Sequence, residues 1–320
     1  MKAIIYRKFG PPHNLQYQDV EKPTPGDDQA LIRVRAAALN PLDWRLMSGG
    51  PPVVRFLLNL GKPRIKRPGV DFAGEVEAVG PNVTQLKPGD AVFGGCKGAF
   101  AEYVCASESR AVLKPENMTF EQASSVPVAG LTALQGLRDK GRIQPGQKIL
   151  INGASGGVGT FAVQIAKSFG AEVTGVCSTG NLEMVRSIGA NRVIDYSRED
   201  FTRGAQRYDL ILDNVGNRSP SECRRVLAPN GICVIAGAPK KVLPILGLML
   251  KAAVFSRLVS QKFPTFVASF NRADLTFLHD LMKAGKVRPV IDRQYPLRDA
   301  AEAMAYAEQG HSRGKVVLTV

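Results

Sequence analysis

Apolar and polar positions along this chain follow two different periods, and the change between them divides it. From Met1 to about residue 125 the apolar residues come in short runs, MKAIIY, QALIRVRAAAL, DFAGEVEAVG, DAVFGG and AFAEYVCA, separated by Gly, Pro, Asn and Asp. Short runs punctuated by turn formers predict strands. Together they predict an antiparallel, barrel-like β domain, with GPNVTQLKPGD turning the chain between two strands. A helical pattern starts near Phe120, where Thr119 can cap and Gln122 stands three residues on. SSVPVAGLTALQGLRDKG then leads into the second half.

There the apolar run Ile149, Leu150, Ile151 follows Pro145 and Gly146 and reads as a buried parallel strand. Gly153, Gly156 and Gly159 come next at a spacing of three, and Val158, Phe161, Ala162, Ile165, Ala166 and Phe169 recur at helical intervals until Gly170. Strand, glycine turn and helix in direct succession predict a dinucleotide site. Glycines let a pyrophosphate approach the backbone, and the helix N-terminus attracts it. Beyond it strand and helix alternate: AEVTGV, helix NLEMVRSIG, NRVIDY, YDLILDNVG, helix SECRRVLA, GICVIAGA. This alternation predicts βαβ units and a parallel sheet. The tail offers helix LTFLHDLMKAG, strand RPVIDRQYPL, helix AAEAMAYAEQG and strand GKVVLTV. Having no partner strands of its own, it is expected to return to the first domain. The expected domains are 1–125 with 268–320, and 126–267.

Residues 240–270 interrupt the pattern with VLPILGLMLKAAVF. Broken by Pro244, Gly247 and Lys251, this stretch is too short for a bilayer span of about 20 apolar residues. It reads as a buried helix or a lid, with an interfacial membrane helix over 242–256 as the alternative. The 320 residues are 44% hydrophobic and 22% charged, an ordinary soluble balance, with a net charge of +14. Except for Lys62 to Arg67 and Lys240-Lys241 the basic residues are scattered. No alternation of basic and aromatic residues suggests base stacking, so the charge points to an anionic cofactor rather than nucleic acid. The five cysteines form no CxxC pair, and the three histidines lie far from them in sequence. MKAIIYRKFG lacks the apolar core of a signal peptide, and the cytoplasm is expected.

Several motifs together carry a resemblance: NPLDW (Asn40 to Trp44), AGLTALQGL (Ala129 to Leu137), NGASGGVGTFAVQIAKSFGA and the terminal HSRGKVVL. With them, and nearly end to end, the chain resembles the medium-chain dehydrogenase/reductase superfamily and, within it, the zinc-free quinone oxidoreductase branch. The resemblance implies an α/β fold, a GroES-like β-barrel catalytic domain plus a Rossmann domain with a doubly wound parallel sheet. Zinc-dependent members place a ligand Cys where Asn40 stands and a ligand His where Val70 stands. Neither residue here is a good zinc ligand. Their structural four-cysteine lobe would fall between Asp90 and Tyr103, where only Cys96 occurs, so no metal is expected. Cys96 and Cys105 read as small packing residues.

The resemblance also implies the site. Asn40 and Thr132 are the expected catalytic residues, Thr132 with its hydroxyl near the nicotinamide. Ser155, Gly156, Gly157 and Val158 would hold the pyrophosphate. Asn214, Val215 and Gly237 would line the nicotinamide end, and Tyr196 the adenosine end. Lys315 is either structural or reaches the nucleotide. After the second strand come Cys177, Ser178, Thr179, Gly180 and Asn181. No carboxylate stands among them to repel a 2′-phosphate, and Ser178, Thr179 and Asn181 can donate to one, so NADPH is expected to bind better than NADH. Gly180, where relatives often carry a basic residue, narrows the margin, and Arg186 or Arg198 could compensate. Without a Lewis acid the acceptor must already be electron-poor, which implies a quinone or an α,β-unsaturated carbonyl. Asp43 and Arg45 are polar contacts or surface residues. The alternatives are a non-catalytic NADPH-binding protein and a peripheral membrane quinone reductase. A homodimer is expected from the resemblance.

Overall fold

The computed structural model describes residues 1–48, 66–237 and 259–320. In chain order the elements are β1 (Lys2–Ile5), β2 (Gln16–Asp19), β3 (Gln29–Ala38), α1 (Pro41–Met47), β4 (Asp71–Val79), β5 (Ala91–Gly95), β6 (Tyr103–Ser107) and β7 (Ala111–Leu113). The helices α2 (Phe120–Ser124) and α3 (Pro127–Gln135) follow, and α3 runs on into one π-helical turn, Gly136–Lys140. Next come β8 (Lys148–Asn152), α4 (Gly157–Ser168), β9 (Glu172–Cys177), α5 (Leu182–Ser187), β10 (Arg192–Asp195), β11 (Tyr208–Asp213), α6 (Pro220–Arg224) and β12 (Leu227–Ile235). The tail consists of α7 (Arg272–Lys283), β13 (Ile291–Pro296), α8 (Ala300–Glu308) and β14 (Lys315–Thr319).

The chain divides into two units, Met1–Leu131 with Ser269–Val320, and Thr132–Ala268. The first boundary falls inside α3, later than the expected 125/126, because one continuous helix links the two parts.

In the first unit a seven-stranded sheet has the order β13-β14-β3-β4-β5-β7, with β6 also on β3. Strand β3 organises it. One edge pairs with β4 along its length, while the other serves β6 over Gln29–Arg33 and β14 over Ala36–Ala38. Two register shifts in β3, at Leu31/Ile32 and Val34/Ala36, bend the strand. The tail therefore does return to this unit, with Val317 opposite Ala38. Ile4, Ile32, Val34, Phe72, Val92, Phe100, Leu297, Met304 and Leu318 are among the buried residues of its core. At about 25 cal/mol per Å² of buried apolar surface, such side chains are the main source of its stability. AFAEYVCA is strand only from Tyr103; Ala101 instead makes a single bridge to Ala3.

The second unit holds an all-parallel sheet of order β10-β9-β8-β11-β12. Leu150, Val176, Ile194, Ile211, Val226, Cys233 and Phe263 fill one side of it. Helix α4 buries every residue from Gly159 to Ala166, which is why its sequence is apolar almost all round. The stretch SECRRVLA is only partly helical. Its helix stops at Arg224, and Leu227 already pairs with Tyr208 in the sheet, because burial of Val226 and Leu227 outweighs their helical tendency. Among the described residues no helix is long and apolar enough to cross a membrane. The 242–256 stretch, Lys240-Lys241 and residues 62–65 lie outside the described residues.

Candidate functional site

In the second unit β8 ends at Asn152 and the chain turns through Gly153, whose φ of 77° belongs to the left-handed region that favours glycine. Gly156 then caps α4. Among the described residues no side chain caps the N–H groups of its first turn and no acidic residue stands there, so those N–H groups and the positive dipole end are placed to attract an anion. A Cβ on Gly159 would come within 3.0 Å of the backbone at Gly153 and Ala154. Ser155, Gly156, Gly157 and Val158 sit on this turn as expected.

The residues expected at the adenosine end lie beside it. Asn181 Nδ2 donates to Ser155 Oγ at 3.2 Å and to Ser178 Oγ at 3.1 Å, bringing the glycine turn and the end of β9 together. Asn181 Oδ1 is buried and has no partner among the described residues. Tyr196 is 59% exposed, its ring available for stacking. One expectation is corrected here. A carboxylate does stand by the pocket, arriving from the neighbouring strand: β10 pairs with β9 so that Asp195 lies opposite Cys177. Thr179 Oγ1 donates to Asp195 Oδ2 at 2.5 Å, and the hydroxyl and N–H of Ser197 donate to Asp195 Oδ1. These bonds, from Thr179 first, hold the Asp195 carboxyl below the usual carboxylate range. A hydroxyl has one proton to give, so Thr179 cannot donate to a phosphate while it donates to Asp195. Arg198 Nε lies 3.7 Å from Asp195 on an otherwise exposed side chain.

At the other end of the same sheet edge, Asp213 closes β11. Its Oδ1 accepts from Asn152 Nδ2 at 2.8 Å and from the N–H groups of Val215 and Gly216 at 3.0 Å. Its backbone carbonyl accepts from Gly237 at 2.8 Å. A Cβ on Gly237 would overlap the backbone of Asn214 and Val215, and one on Gly153 would lie 2.8 Å from Val215 Cγ2. Asn214, Val215 and Gly237 are thus drawn together against the glycine turn. Both amide atoms of Asn214 are buried without a partner among the described residues, which is costly unless a ligand satisfies them. The unpartnered Asn214 amide and Asn181 oxygen, a helix start without a side-chain cap and backbone packed too tightly for a Cβ fit a dinucleotide along the carboxyl ends of β9, β8 and β11. Thr132 is half-buried on α3.

Asn40 and Lys315 belong to the first unit, where they meet in a buried charge cluster with Asp43 and Asp71; the four are 2%, 3%, 4% and 0% exposed. Lys315 Nζ donates to Asn40 Oδ1 at 2.7 Å and lies 3.5 Å from Asp71 Oδ2, to which Asn40 Nδ2 donates at 3.0 Å. Asp43 Oδ2 accepts the Asn40 N–H at 2.7 Å, one turn back along α1. Asn40, an expected catalytic residue, and Lys315, expected to be either structural or in reach of the nucleotide, are thus bonded to each other: both ends of the Asn40 amide are engaged inside the unit, and the Lys315 ammonium lies on Asn40 and Asp71. Of the other polar candidates of the NPLDW region, Asp43 is buried and Arg45 is largely solvent-facing.

Burial pushes the Asp43 carboxyl up to about 7 and raises that of Asp71, while it lowers the Lys315 ammonium. Burial is the first cause of all three shifts; the Asp71 charge adds to the rise at Asp43, and Lys315 opposes the rise at both acids. Because the folded value of Asp43 lies above its unfolded value of about 3.9, the stability it contributes is full below that pH and is lost as pH rises through about 7. Asp43→Asn removes this dependence. Its unfolding free energy should gain on the wild type by on the order of 3–4 kcal/mol between pH 4 and 8, read from denaturant melts across that range; parallel pH profiles would refute the assignment.

Zinc does not fit these residues. An amide, a valine and a committed ammonium are not its ligands, and among the described residues no three His, Cys, Asp or Glu side chains stand where they could hold a metal. Burial also pushes the thiols of Cys96 to about 12 and Cys177 to about 11, which leaves neither a ready nucleophile.

Residues 26–116 match the alcohol dehydrogenase GroES-like domain family and residues 188–318 the zinc-binding dehydrogenase family. The chain is 34% identical over 336 residues to the chloroplastic quinone-oxidoreductase QR1 of Triphysaria versicolor, covering 99% of this chain and 98% of that protein. It is also 34% identical to the 2-methylene-furan-3-one reductase of Solanum lycopersicum, with 99% and 79% covered. Among solved structures, the Escherichia coli quinone oxidoreductase complexed with NADPH superposes with a TM-score of 0.85 at 25% identity, covering 100% of each chain.

Proposed function

The chain belongs to the medium-chain dehydrogenase/reductase superfamily, in its quinone oxidoreductase-like branch, and from that membership we propose that it is a zinc-independent NADPH-dependent reductase of quinones or α,β-unsaturated carbonyls. The observation that carries the reading is the donor set of the first unit: a carbonyl-polarising metal has no ligands at Asn40 or Val70, and the only buried cation described there, Lys315, is already engaged. An acceptor for this chain must therefore be electron-poor in itself. Bound NADPH supplies the hydride. The residues' part would be to hold and orient: the α4 N-terminus would take the pyrophosphate, Asn214 and the backbone at Val215 and Gly237 would hold the nicotinamide end, and the Thr132 hydroxyl would serve beside it.

A screen of NADPH oxidation across para-quinones, short enones and simple alcohols with NADP⁺ tests this. Quinones or enones are expected to turn over and alcohols not to. Alcohol oxidation alone would sink the proposal, and NADPH binding without turnover of any acceptor would favour a binding protein.

For the cofactor, NADPH is expected to bind better than NADH by a modest margin, since Gly180 supplies no cation and Asp195 stands close by. Gly180→Arg adds a charge-assisted bond worth roughly 1.5–3 kcal/mol, and NADPH affinity should rise about tenfold or more with NADH little changed. Asp195→Asn removes the neighbouring negative charge and should widen the same ratio several-fold. Unchanged NADPH-to-NADH ratios in both variants, by titration, would count against this pocket. The homodimer is proposed from the resemblance and the cytoplasmic location from the absence of a signal-peptide core in MKAIIYRKFG, and light scattering on the purified protein reads the first.

A further inference from the structure

The buried cluster of the first unit joins more of the fold than its charge balance requires. Asn40 caps α1 two residues beyond β3, Asp71 opens β4 and Lys315 opens β14. The second oxygen of Asp71 reaches a fourth element: Asp71 Oδ1 accepts the N–H of Val128 at 3.1 Å. Val128 is the second residue of α3, where backbone N–H groups have no partner within the helix. A carboxylate from a distant strand thus caps α3 in both senses, as hydrogen-bond acceptor and as negative charge at the positive end of the dipole. Asp71 can serve as that carboxylate only while something offsets the cost of burying its charge, and the nearest cation is Lys315.

We propose that Lys315 is a positioning residue: its buried ammonium, held by Asn40 and Asp71, keeps Asp71 on the first turn of α3 and so fixes the helix that carries Thr132. The link to turnover rests on the proposed reaction at Thr132. The link to α3 does not, and the two can be tested apart. Lys315 is 275 residues from Asn40 in sequence, and neither its position near the end of the chain nor its neighbours RGKVVL announces the role.

The test compares full-length wild type, Lys315→Met, which keeps most of the stem but not the charge, and Lys315→Arg, assayed with NADPH and a para-quinone at a temperature where circular dichroism shows all three folded. In Lys315→Met, kcat is expected to fall about tenfold or more while the dissociation constant for NADPH, set by the glycine turn, stays within about twofold. The Val128 amide is expected to exchange faster, and Lys315→Arg to recover part of both effects. A purely structural lysine would lower only the melting temperature. Wild-type kcat and wild-type Val128 protection in folded Lys315→Met would overturn the proposal. Should that variant not fold, Asn40→Ala takes its place, with the same loss of kcat and Val128 protection expected and wild-type values in both overturning it. If the wild type itself reduces no quinone or enone, the functional reading fails, and Val128 exchange in the same variants still decides the positioning.

Discussion

Gly159→Ala is expected to cost both stability and cofactor binding, because there is no room for a methyl group where α4 begins. The added Cβ would fall within 3.0 Å of the Gly153 oxygen and of Ala154 Cα and carbonyl carbon, all backbone atoms. None can swing aside as a flexible side chain would. Overpacking of this kind costs about 1–3 kcal/mol, and it can be relieved only by moving the turn whose N–H groups are proposed to take the pyrophosphate. Strain relieved in that way should weaken NADPH by about ten- to a hundredfold, at 1.4 kcal/mol per factor of ten. Gly156→Ala is the control. Its Cβ would meet only the Gly153 oxygen, at 3.5 Å, an ordinary contact, so the melting temperature should hold even if a methyl at the helix cap hinders the phosphate. Differential scanning calorimetry and NADPH titration of the pair separate packing from access. Equal melting temperatures and equal affinities for Gly159→Ala and wild type would show that the turn has more freedom than its geometry allows.

The second large effect is expected at Asp213. One oxygen of this buried side chain collects three donors, the Asn152 amide and the N–H groups of Val215 and Gly216. Asp213→Ala would leave all three without it. A buried donor that loses its acceptor costs about 1–3 kcal/mol, so a total loss on the order of 3–5 kcal/mol follows once partial rehydration of the loop is allowed for. At about 2–4 °C per kcal/mol for a chain of this size class, the melting temperature should fall by roughly 10 °C. Turnover should fall as well, since the same three bonds set the backbone of Asn214 and Val215. Asp213→Asn retains an accepting oxygen and should recover most of the stability. A substitution to Ala that melts like the wild type would mean that water replaces the carboxylate at little cost.

Several of these residues could not be picked out along the chain. Asp195 escapes a search confined to the end of the second strand, because it reaches Thr179 only through the parallel register of β10 on β9. Asp71 and Asp213 look like ordinary strand-end acids. Their partners lie 57 residues away at Val128 and 61 at Asn152. The polar residues Asn40 and Lys315 were visible as candidates but not their mutual bond, which joins them in one buried network.

By itself the sequence determined what depends on neighbours a few positions apart: the period-two strands, the capped start at Thr119, the strand, glycine turn and helix from Lys148 onward, and the motifs that carry the family. Local periodicity and glycine spacing are enough for these, because side-chain direction repeats every two or 3.6 residues. Tertiary structure alone decided which acids meet which donors, that β3 shares one edge between β6 and β14, that the helix after β11 gives way to strand at Leu227, and that a lysine five residues from the end neutralises an aspartate near the start. Those outcomes depend on burial and on strand register. In the dry interior a charge must find a partner wherever the fold places one, however far away along the chain.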